Sequence, residues 1–273
     1  MRPFWRLTYL KINLLMSQFF SFSRFMRLFS KHTTEHGGGY LLAVGVLMGG
    51  LGLVLGFLTY MSSEPMPANI QVVFFTMGLL AAGAFFTSTV FAPFGDKKQA
   101  TAALMLPASH WEKYLVGWLY AVPFFMAVYV GCFYLIDILV LQLRATPAHP
   151  GEMVRLFAGP EHLYTVLVAY AAVSAVFLWG SIFFARQQFV RTAFGVLLAL
   201  VVLSTANYQA MKAMLGQALN GAVPFSSVSL HEGKELYTLA LPEVQMNWFG
   251  LVPLGIMLLA WAAAYWRVTE KQI

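Results

Sequence analysis

The chain has 273 residues, of which 59% are hydrophobic and 10% charged, with a formal charge of +6 and one cysteine. A soluble domain carries about 25% charged residues, and a water-facing fold could not hide this much apolar side chain, so the class is integral membrane protein. The single Cys132 excludes an intramolecular disulfide and a cysteine-cluster metal site, and its apolar neighbours make it a small packing residue.

The N-terminal segment is amphipathic. On a helix, Arg2, Arg6, Asn13, Ser17, Arg24, Arg27 and Lys31 fall on one stripe, with Phe4, Leu7, Leu14, Leu15, Phe22, Phe25 and Phe29 opposite. Lys11 lies off the stripe and can snorkel. Residues 1–36 therefore predict an interfacial helix with its basic side toward anionic head groups. It serves either as a plain anchor or as an elbow that also touches a partner. The segment lacks a clean apolar stretch followed by a small-residue cleavage site, so no cleavable signal is expected.

Apolar runs then predict six membrane spans, near residues 38–60, 69–92, 114–142, 162–185, 190–206 and 248–266. In the first span Gly45, Gly49, Gly52 and Gly56 form a small-residue stripe that lets another helix approach closely, within the chain or from a second subunit.

The loop between spans 2 and 3 follows helix grammar. Asp96 followed by Gln99 reads as a capping box, and the stretch KKQATAALM favours helix. Pro107 stops that helix. Ser109 followed by Glu112 reads as a second box that starts span 3. Ser109, His110 and Glu112 are not a catalytic triad, because neighbours at this spacing on one turn do not assemble one.

Further along, Asp137 is the acidic residue within a span. Counting from residue 110 places it about 40 Å along the helix, at or beyond the far interface, which predicts an interfacial carboxylate. Arg186-Gln187-Gln188 marks a tight turn flanked by snorkelling arginines, and Asn207 with Tyr208 ends span 5. Residues 207–247 form a loop on the far side, helical for two or three turns and then broken by Gly221 and Pro224.

Thirteen basic residues flank the side holding both termini, the 2–3 loop and the 4–5 turn; Arg144, Arg155, Lys212 and Lys234 lie on the other. The positive-inside rule places both termini in the cytoplasm. No metal site is expected, because His32, His36, His110, His149, His162 and His231 are scattered without ligand spacing. No catalytic residue is expected. The fourteen methionines read as adaptable packing.

The passage KKQATAALMLPASHWEKYLVGWL resembles the 2–3 loop of permeases of the ABC-2 class of ABC exporters. It is especially similar to short Bacteroidetes-type members, in which an L-P-A-S-x-x-E-K-[YF] segment precedes the third span. The layout is similar over nearly the whole chain. The resemblance implies an all-α polytopic protein with six transmembrane helices, an N-terminal amphipathic interfacial helix at 1–36 and a six-span domain at 37–273. Within that domain a cytoplasmic coupling helix at 96–109 would dock on an ATPase, and short helices would lie in the 207–247 loop. The coupling contacts fall on Asp96, Lys97, Lys98, Gln99, Leu104 and Met105. The chain has no G-x-x-x-x-G-K-[ST] loop, so the resemblance implies a separate ABC ATP-binding subunit that holds ATP and Mg, with no cofactor bound by this chain.

It further implies a homodimer or a pair with a similar permease, seated among the lipids of a bacterial cytoplasmic (inner) membrane, with no nucleic-acid partner. The pair would move a substrate by alternating access. Two rival readings stay open: a non-transporting scaffold or sensor subunit, and an intramembrane enzyme.

Overall fold

The computed structural model describes residues 20–62, 66–91, 109–144, 153–154, 163–184, 186–215, 228–232, 235–239 and 251–270. The coupling candidates Asp96, Lys97, Lys98, Gln99, Leu104 and Met105 lie outside these residues, as does the basic stripe from Arg2 to Ser17.

The helices are α1 (Phe22–Met61), α2 (Ala68–Val90), α3 (His110–Leu119), α4 (Phe125–Arg144), α5 (Leu163–Phe183), α6 (Gln188–Leu215) and α7 (Leu251–Glu270). A π-helical turn, Tyr120–Phe124, joins α3 to α4 without a break. Counting α3, the π turn and α4 as one, six helices are long and apolar enough to cross a membrane. This is the multi-pass helical architecture of a membrane protein.

α5 is the hub of the bundle and packs against α2, α6 and α7. Across the bundle, side chains press directly onto the backbone of other helices. Tyr170 fills the space beside Gly83, Tyr129 that beside Gly78, Phe91 that beside Gly117 and Thr192 that beside Gly180. Two buried clusters result. One gathers Leu55, Phe75, Leu79, Tyr129, Phe133 and Tyr170. The other gathers Phe91, Tyr114, Leu178, Ile182, Ala264 and Val268.

Three elements differ from the sequence-based expectation. The interfacial helix expected to end at residue 36 and the first span are continuous where described: α1 runs through Gly37, Gly38 and Gly39 as one 40-residue helix, about 60 Å long. Each glycine weakens a helix interior by about 1 kcal/mol. Against that, His32 Nε2 bonds Tyr40 Oη at 2.7 Å across the triplet, and an apolar surround leaves freed backbone groups no water to turn to.

The fifth span continues past Asn207 and Tyr208 to Leu215, since QAMKAML favours helix. The 207–247 region, expected to hold short helices, includes among its described residues the end of α6 and an antiparallel hairpin of β1 (Val228–Glu232) and β2 (Glu235–Leu239). Its register sets Val228 opposite Leu239 and Leu230 opposite Tyr237. These are strand-forming pairs that local helix signals upstream had obscured.

Gln187 takes up the reversal between α5 and α6 with φ of 53°, a left-handed conformation that is uncommon for a side-chain-bearing residue.

Candidate functional site

The site is built at the start of the third span. Ser109 has extended backbone and caps α3. Its Oγ accepts from Glu112 N at 3.2 Å, and Glu112 Oε2 accepts from Ser109 N at 2.9 Å. Both halves of a capping box are present, so two otherwise orphaned amides are satisfied locally.

Glu112 does more than close its own box. Its other oxygen, Oε1, accepts from Ser21 N at 2.7 Å and from Arg24 Nη2 at 3.3 Å. Ser21 is the N-cap residue of α1, and its side chain makes no cap bond. In a capping box the acid stands three residues after the cap; three residues after Ser21 stands Arg24 instead. The acid missing from the start of α1 is thus supplied by α3, and Arg24 turns inward to meet it. Glu112 is fully buried while the Arg24 side chain is 27% exposed.

One carboxylate therefore sits between two helix N-termini and a guanidinium. The positive ends of both helix dipoles favour it there, and hydrogen bonds from a cation and two amides offset the cost of burying a charge.

The clamp sets two helices side by side and parallel. Thr33, twelve residues after Ser21, bonds Tyr120, eleven after Ser109. Further on, a Cβ placed at Gly52 would lie 3.8 Å from the Ile136 side chain.

Between these points lies the π turn, which contains Pro123. Proline has no N–H to give and crowds the preceding turn. Phe125 N reaches back five residues to Tyr120 O, so Ala121 O loses its usual donor four residues on. The Tyr170 hydroxyl donates to that carbonyl from α5. A π turn often marks a functional position. Here it presents Tyr120 to α1, where its ring packs at 5.3 Å from Phe29, 4.8 Å from His32 and 5.2 Å from Tyr40.

The same end of the bundle is tied to the last helix. The Tyr114 hydroxyl donates to Trp261 O at 3.2 Å, and Trp111 stacks on Tyr265 at 4.0 Å. Arg267 lies over Phe183 beside the α5–α6 turn. Tryptophan and tyrosine gathered near arginines suit a membrane–water interface.

The remaining singled-out residues fall as follows. Gly45, Gly49 and Gly56 have no described atom within 4 Å of the place a Cβ would take, and Gly52 makes one ordinary contact. The stripe therefore does not serve packing among the described helices, apart from that contact. Asp137, expected at an interface, is 1% exposed. Phe133 and Val140, one turn to either side, are both core residues, and Asp137 Oδ2 has no hydrogen-bond partner among the described residues. Among the described residues no group of His, Cys, Asp or Glu is placed to hold a metal ion.

No family model, curated protein or solved structure matches the chain.

Proposed function

We propose that this chain is the membrane-spanning permease subunit of an ABC exporter of the ABC-2 class, working as a pair with a separate ATP-hydrolysing subunit. The observation that carries the reading is the Glu112 clamp. It stands at the C-terminal boundary of the 96–109 segment, where the family resemblance places the coupling helix. A push on that segment arrives first at Ser109. Through Glu112 it reaches the start of α1 as well as α3, so two long parallel helices would move as one rigid body.

Both termini face the cytoplasm in this reading, and the membrane is the bacterial cytoplasmic one. The open glycine stripe of α1 is then available to the second permease copy.

The direct test replaces Leu104 and Met105 together with Asp in the full chain, expressed in its native host, where an ABC ATPase would co-purify with the unaltered chain. The expected result is normal membrane insertion with loss of ATPase co-purification. Unchanged co-purification rejects the docking assignment, and absence of any ATPase partner for the unaltered chain favours the scaffold or sensor reading.

A further inference from the structure

A cleft of about 1070 Å³ lies along α1, with α2, α3, the π turn and α4 forming its other wall. That volume is at the upper end of small-molecule sites. The lining changes character along its length. Lys31, His32, Glu35 and His36 of α1 and Lys113 of α3 line one end. Tyr40, Phe86 and Tyr120 form an aromatic middle, with the Tyr40 ring 5.6 Å from Phe86 and 5.2 Å from Tyr120. Val46, Leu47 and Val128 line the other end.

Three properties of this gradient define what would fill it. The first is length. From Lys31 to Leu47 along α1 is about 24 Å at 1.5 Å per residue. One leaflet supplies about 15 Å of hydrocarbon plus roughly 5–7 Å of head-group layer.

The second is depth. Lys113 sets the polar end in the first turn of α3, near the Trp111–Tyr265 stack that suits a membrane–water interface, and Tyr120 lies about two turns deeper. A lipid seated there meets the polar end with its head group and the apolar end with its chain.

The third is charge. Two lysines face one carboxylate across that end, with the rings of His32 and His36 beside them. The carboxylate is held by Lys31 at 3.7 Å in a pair about half exposed on both sides. Such a pair is weak, and an incoming anion can take its lysine over.

We propose that this cleft binds one anionic membrane lipid, with the head group at Lys31 and Lys113 and an acyl chain along Tyr40 to Leu47. The proposal is independent of the transporter reading, because it needs only a chain seated in a bilayer.

The test uses the full chain in mild detergent and native mass spectrometry. Phosphatidylglycerol and phosphatidylcholine with the same acyl chains are the probes. The expected result is one retained phosphatidylglycerol per chain, held in preference to phosphatidylcholine. Lys31→Gln, on a half-exposed side chain whose surface ion pair adds little stability, should lower that occupancy about fivefold. Gly39→Trp and Val46→Trp each place an indole in the cleft and should empty it, while Gly50→Leu, on the same helix but outside the lining, should leave it filled.

Equal retention of both lipids, unaffected by either tryptophan, would mean ordinary boundary lipid and would overturn the proposal. So would tryptophan variants that split a dimer while retained lipid stays the same, because a second copy would then fill the cleft.

Discussion

In α1, Gly45, Gly49 and Gly56 face open space, whereas Gly83, Gly117 and Gly180 of the inner helices are each covered by a side chain from a neighbouring helix. The first set has the small-xxx-small spacing and no described neighbour to use it. The second has no shared spacing and carries the tightest contacts of the bundle. The difference lies in position. α5 and its neighbours form the packed interior, while α1 buries only Leu55 and Thr59 along its 40 residues. A glycine pattern reports that a helix can be approached closely; whether it is approached depends on where the helix stands.

The sharpest way to break this comparison is Gly83→Leu. The new side chain would collide with the Tyr170 ring, whose hydroxyl also serves the freed carbonyl of Ala121. Overpacking of this kind should destabilise the chain by about 3 kcal/mol, read as a lowered Tm in detergent. An unchanged Tm would mean that the socket is soft.

Next in size is Glu112→Ala, which strips an acceptor from two cap amides and from Arg24. The expected loss is about 2–3 kcal/mol. A double-mutant cycle with Arg24→Ala should show coupling, which strictly additive losses would contradict.

The smallest effect on the chain itself belongs to Gly49→Leu. The exposed helix interior should gain up to about 1 kcal/mol in helix preference. If the stripe is a subunit interface, size-exclusion chromatography with light scattering should nevertheless report a weakened dimer. A dimer left intact would place the stripe against lipid.

Much of this architecture was legible in the sequence because it is encoded locally. Each span is an apolar run of sufficient length, and the Ser109–Glu112 box needs only four consecutive residues. What escaped reading was non-local or rested on context. Nothing near Ser21 announces that its acid will come from Glu112, although Arg24 standing where an acid belongs was a visible clue. The Tyr170–Gly83 socket joins different helices and has no local signature. The boundary drawn after residue 36 falls inside one helix, which runs through Gly37–Gly38–Gly39 with the His32–Tyr40 bond across the triplet. The burial of Asp137 was missed because counting residues gives a position along the axis and says nothing about which neighbours surround it.

The Glu112 clamp also has a consequence for the order in which the molecule is assembled. Ser21 and Glu112 are separated by 91 positions, and a ribosome adding roughly 5–20 residues per second needs about 5–18 s to cover that distance. During this interval the first helix has left the ribosome while the carboxylate that latches its start does not yet exist. The first turn of the third span therefore acts as a completion signal: until it is synthesised, α1 is free to tilt and slide, and once it arrives the two helices share one anchor.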